Sequence, residues 1–112
     1  MAYNEVLTNR VREALAEIPN VEEKKMFRGI AFMVNRKLCV SVGDNELMCR
    51  VDPTLHDELV EKKGCRTMMM KNREYKGYVY VAEDSITTKK ELEYWLSLAL
   101  LFNSKAKASK SK

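Results

Sequence analysis

Residues 24–38 read Lys-Lys-Met-Phe-Arg-Gly-Ile-Ala-Phe-Met-Val-Asn-Arg-Lys-Leu: two short apolar runs joined around a glycine and an asparagine at hairpin spacing. A period of two puts Ile30, Phe32 and Val34 on one side of a strand and Ala31 and Met33 on the other. Asn35 accepts the positive φ that a tight turn demands, so the chain is expected to double back on itself there. The connection is too short for a parallel crossover, which makes the pairing antiparallel.

The same period continues downstream. Leu38, Val40 and Val42 alternate with Cys39 and Ser41, and Leu47, Cys49 and Val51 alternate with Met48 and Arg50, around a turn supplied by Gly43, Asp44 and Asn45. A meander of three or four strands is predicted. Before it, Leu7, Val11, Ala14, Leu15 and Ile18 draw one apolar stripe down a helix that Pro19 and Asn20 stop. After it, Asp52 and Pro53 open a second helix with Leu55, Leu59 and Val60 inward, closed by Gly64. Met68, Met69 and Met70, then residues 77–82, form two more strands around a polar turn containing Asn72 and Arg73. Thr88 and Glu91 have capping-box spacing ahead of a third helix with Leu92, Trp95, Leu96, Ala99 and Leu100 on its apolar face. The expected class is α+β: a two-layer domain, order α-β(3-4)-α-β(2)-α, with helices on one face of an antiparallel sheet.

At 112 residues and 46% hydrophobic content, one small domain is expected over residues 1–104. The net charge of +4 hints at nucleic acid until the charges are placed. Of 20 Lys and Arg, Lys105, Lys107, Lys110 and Lys112 lie in the last eight residues, leaving 16 basic against 16 acidic residues elsewhere. Residues 105–112 read as a disordered basic tail on a neutral body. No apolar run approaches the roughly 20 residues of a membrane span, and the amino terminus lacks signal-peptide character. Cys39, Cys49 and Cys65 are odd in number and have no Cys-x-x-Cys spacing, so reduced thiols in a cytoplasmic protein are expected, with no metal and no cofactor.

The first hairpin resembles the N-terminal domain of the TfoX/Sxy competence-regulator family, which carries Lys-Met-Phe-Gly-Gly, an apolar strand and Asn-Gly-Lys there. Lys25, Met26, Phe27, Gly29, Asn35 and Lys37 match, whereas Arg28 and Arg36 stand where the family has glycines. The resemblance spans residues 5–103 and is supported by Lys76-Gly77-Tyr78-Val79-Tyr80-Val81 and by the closing helix with Trp95. It implies a regulatory module without catalytic activity, working through protein contacts in transcriptional control, and without the second, helical domain of the family's longer members.

Three sets of residues are binding candidates. Lys24, Lys25, Arg28, Arg36 and Lys37 crowd the first hairpin, and Arg66, Lys71, Arg73 and Lys76 the later one. If the two turns share an end of the sheet they form a rim for an anion or a nucleic-acid backbone; otherwise they are solvated loops, with Glu22, Glu23, Glu46 and Glu74 interleaved. Tyr78 and Tyr80 share a strand face where bases stack in RNA-recognition motifs, although paired tyrosines packing beneath a helix are the simpler reading. Three methionines in succession point to both strand faces, so Met68, Met69 and Met70 offer adaptable surface to a protein partner or a second copy. His56, the sole histidine, reads as a surface or half-buried structural residue, and Cys39 as a small buried hydrophobe instead of a nucleophile.

Overall fold

A computed structural model describes residues 4–26, 29–70 and 73–105, with the backbone alone for Met26, Met70, Arg73, Glu74 and Tyr75. Phe27, Arg28, Lys71, Asn72 and residues 106–112 of the tail expected at 105–112 lie outside the described residues.

Asn4 caps the first helix, α1 (Glu5–Ala14), by accepting the Leu7 N–H at 2.9 Å. The apolar stripe predicted a helix reaching Ile18, but the α-helix ends at Ala14. Beyond it the bonds tighten to three-residue spacing, Ala16 N–H to the Glu13 carbonyl and Ile18 N–H to Leu15, until Asn20 turns left-handed at φ 62°. Leu15 and Ile18 still pack on the core, so the stripe marked burial correctly and the helix end wrongly.

Six strands follow: β1 (Val21–Met26), β2 (Gly29–Val34), β3 (Lys37–Val42), β4 (Glu46–Arg50), β5 (Cys65–Met70) and β6 (Arg73–Ala82). All neighbours are antiparallel, in the order β1-β2-β3-β4-β6-β5. The meander therefore has four strands. Both later strands start earlier than predicted, and Arg73, expected in a turn, opens β6. Gly29 is required where β2 begins, because a Cβ there would stand 2.0 Å from the Val42 carbonyl oxygen on β3.

One face of the sheet carries Ile30, Phe32, Val34, Val40, Val42, Leu47, Cys49, Val79 and Val81, all buried under the helices. The other buries Ala31, Met33, Leu38 and Met48 in a separate cluster that contains no helical residue. One position breaks the predicted alternation. Phe32 faces Val40 but Met33 faces Leu38, which leaves Cys39 as an extra residue on β3. The bulge turns Cys39 into the main core and Leu38 to the far face, opposite to the strict alternation read from the sequence.

Between the two sets of strands, a 3-10 turn at Pro53–Leu55, capped by Asp52, leads into α2 (His56–Leu59). Closing the chain, α3 (Lys89–Asn103) begins with the expected capping box, in which Thr88 and Glu91 exchange side-chain and backbone bonds. Leu92, Trp95, Leu96 and Ala99 are its buried face, lying over β3 and β4. The result is the two-layer α+β domain that the sequence predicts.

Strand direction fixes what each end of the sheet holds. β1, β3 and β6 run one way and β2, β4 and β5 the other. Met26 therefore ends β1 at the end that carries Gly43, whereas the 35–36 turn, Arg50, Met70 and Arg73 lie at the opposite end.

Candidate functional site

The basic residues singled out from sequence do not gather into one cluster among the described residues. Lys24 and Lys25 are exposed on the β1 edge, and Arg66 lies on the β5 edge, five strand spacings or about 24 Å away. Arg36 sits in the β2–β3 turn, at the same end of the sheet as the end of β5 and the start of β6 but with β4 between β3 and β6, whereas the strand ends flanking Arg28 belong to the opposite end. Arg28 and Lys71 lie outside the described residues, and of Arg73 only the backbone is described.

Three of these cations are committed to the fold. Arg66 places one guanidinium nitrogen 2.7 and 2.9 Å from the two carboxylate oxygens of Glu46. Lys76 pairs with Asp57 of α2. Lys37 donates from Nζ to the Asn103 carbonyl at 3.1 Å, where the end of α3 carries unsatisfied carbonyls and a partial negative charge.

Lys37 is one strand of a polar knot at that end of the sheet. Asn20 Nδ2 donates to Asn35 Oδ1 at 3.1 Å, Asn35 Nδ2 to Asn103 Oδ1 at 3.3 Å, and Asn103 Nδ2 to the Val34 carbonyl at 3.1 Å. The turn itself holds two successive left-handed residues, Asn35 at φ 54° and Arg36 at φ 67°. That geometry suits a two-residue hairpin turn, and asparagine tolerates it better than arginine does.

The tyrosines are found where the simpler reading did not place them. Tyr78 and Tyr80 pack on the cluster of Ala31, Met33, Leu38 and Met48, on the face away from the helices, and not beneath one. The β4–β6 register explains this: Arg50 stands opposite Tyr78 and Met48 opposite Tyr80, so β4 puts Glu46, Met48 and Arg50 on the tyrosine face. The Arg66 guanidinium lies 4.6 Å from the Tyr80 ring centroid, and that of Arg50 lies 5.6 Å from Tyr78 and 5.9 Å from Phe102. Neither Arg50 nor Glu46 was singled out from the sequence as a site residue. Their shared parity with Met48 was the available signal, but the face they belong to is fixed only once β4 is seen to neighbour β6.

His56 is buried, and fully so, against the expectation of a surface or half-buried position. Its Nδ1 accepts the Gly77 N–H at 3.0 Å, which assigns the ring hydrogen to Nε2, 2.8 Å from Thr67 Oγ1. Gly77 is at φ 94°, a conformation that presents its N–H to the ring and that glycine adopts without strain. Both ring nitrogens are thus occupied within the core. Burial pushes the Cys39 thiol up to about 12 and the Cys65 thiol to about 11, and raises that of Cys49 well above the ordinary range. Thiols in that state are poor nucleophiles. Among the described residues, no group of three His, Cys, Asp or Glu side chains is placed to hold a metal ion, and no helix is long and apolar enough to cross a membrane.

A surface hollow of about 450 Å³ lies between the segment after α2 and the start of α3, lined by Lys62, Lys63, Ser85, Lys90, Glu91, Tyr94 and Trp95. Lys62 covers the Tyr94 ring at 5.4 Å, and Tyr94 meets Trp95 edge-on at 5.3 Å.

Neither curated proteins nor solved structures gave a significant match to the chain. The family model of the TfoX N-terminal domain matches residues 13–102, a stretch running from the end of α1 through the whole sheet to the last turn of α3. This chain belongs to the TfoX N-terminal domain family.

Proposed function

We propose that the chain is a non-catalytic regulatory module that acts by protein contact in competence-related transcriptional control, and that it docks its partner on the helix-free face of the sheet. Family membership supports the regulatory part. The observation that carries the docking part is the pair of arginine-covered tyrosines, Arg66 on Tyr80 and Arg50 by Tyr78, on a face with an apolar floor. Tyr and Arg dominate the energetics of protein interfaces, and rings already held in place lose little freedom on binding. The same guanidinium cover disfavours base stacking on Tyr80, since the ring face is already occupied.

Binding of a nucleic-acid backbone by the basic hairpin residues is the second reading. It is favoured by Lys24 and Lys25, exposed and without an ion pair among the described residues.

Affinity capture with the wild type, Tyr80→Ala, Arg66→Ala and a remote Lys63→Ala variant separates the readings. A specific protein retained by the wild type and Lys63→Ala, and lost with the two face variants, is the expected result. Retention by the wild type and all three variants refutes docking on this face. The nucleic-acid reading instead expects binding of a DNA duplex that weakens by about 10³-fold or less between 50 and 200 mM salt and falls further in Lys24→Ala and Lys25→Ala, with the face variants unaffected.

A further inference from the structure

We propose that β1 is a self-complementary edge through which two copies of this chain pair antiparallel across a two-fold axis, joining their sheets into one. β1 has β2 on one side only, and among the described residues nothing pairs with its other side. Its sequence is Val-Glu-Glu-Lys-Lys-Met, with residues 22–25 exposed. Lysines on an edge strand ordinarily guard against pairing with another chain. Guarding needs charge in any order. Here the acidic half precedes the basic half, so reversing the strand brings acid against base, while parallel alignment would set like charges together.

The backbone allows this pairing in a definite register. The Asn35 N–H donates to the Asn20 carbonyl at 3.0 Å, and the β1–β2 register, extended by one residue, makes these two a hydrogen-bonded pair. Alternation then turns Glu22 and Lys24 toward β2 and leaves the N–H and C=O groups of Val21, Glu23 and Lys25 facing outward. A two-fold axis at Glu23 sets Glu22 opposite Lys24 of the second copy, twice, and Val21 opposite Lys25.

The side chains agree with that placement. Glu22 stands across from Met33 and Lys24 across from Ala31, so both project on the helix-free face and are free to pair there. Glu23 projects on the helix side, where the Arg12 guanidinium holds it through two bonds of 2.6 and 2.7 Å. Each Glu23 at the axis therefore carries its own cation, which offsets the repulsion between the two carboxylates. The contact is isologous, as a two-fold dimer requires, and with one six-residue strand from each copy it belongs to the small, transient class of interfaces.

The test is sedimentation of the purified chain, with circular dichroism to confirm that each variant is folded. Wild type is expected to show a monomer–dimer equilibrium within reach of about 100 µM protein, weakening as salt is added. Glu22→Lys and Lys24→Glu, each alone, put like charges opposite one another and should weaken self-association by about tenfold or more. Mixing the two variants restores opposite charges at both positions and should restore a mixed dimer. Wild type that stays monomeric throughout overturns the proposal, as does a mixture that fails to associate. A dimer that ignores both β1 variants but disappears with Met69→Lys places the contact on the β5 edge and overturns it equally.

Discussion

Arg36 occupies left-handed backbone at φ 67° with no side-chain bond among the described residues to hold it there. For a residue with a Cβ this costs about 1–2 kcal/mol, part of which glycine would return as greater freedom of the unfolded chain. Arg36→Gly is expected to stabilise the protein by about 0.5–1 kcal/mol, read from thermal or urea unfolding. A variant less stable than the wild type would show that the arginine side chain contributes to the fold. His56 is the opposite case, with every polar atom of the ring used. His56→Ala strands the Gly77 N–H and the Thr67 hydroxyl and leaves a cavity, a loss of about 2–4 kcal/mol. The sequence made the turn legible through Asn35 because conformational tolerance is a local property. It left the burial of His56 hidden, since the two groups that satisfy the ring come from β5 and β6 and no local pattern announces them.

At the scale of elements, the apolar periodicity marked the helices and the strands β2–β6 but not all of their ends, and β1, charged from residue 22 to 25, carries no such signal. The capping box of α3 was legible because both partners lie within one turn, and Thr88→Ala should cost about 1 kcal/mol in an unfolding titration. The early end of α1 was not legible, because the residues beyond Ala14 keep packing on the core while changing their hydrogen bonds. Nor was the bulge at Cys39, where one extra residue exchanges the faces of two neighbours without altering composition. Between α1 and β1, Arg12 holds the Glu23 carboxyl below its usual range, chiefly through their hydrogen bond. A carboxyl lowered in the folded state contributes stability above its unfolded pKa and loses it as the pH falls through the folded value. Glu23→Gln should thus cost about 0.2–1 kcal/mol at neutral pH, the range for a solvent-screened pair, with the difference from wild type vanishing on acidification below the ordinary glutamate range.

For the molecule as a whole, the sequence showed two layers and could not show which strands lie at the edges, because strand order depends on contacts between distant segments. That order separates Lys24 and Lys25 from Arg66 and turns the tyrosines away from the helices. It also encloses all three thiols, so a disulfide-exchange reagent at neutral pH should label Cys39 and Cys49 only at the rate of unfolding. Burst labelling of either in the native protein would contradict the burial described. The three linked asparagines reach further. Residues 20, 35 and 103 sit far apart in sequence yet share one chain of amides, so the hairpin tip, the entry to the sheet and the last helical turn are latched together. Replacing Asn103 by alanine should release all three at once, seen as a joint rise in amide hydrogen exchange at segments that no stretch of sequence connects.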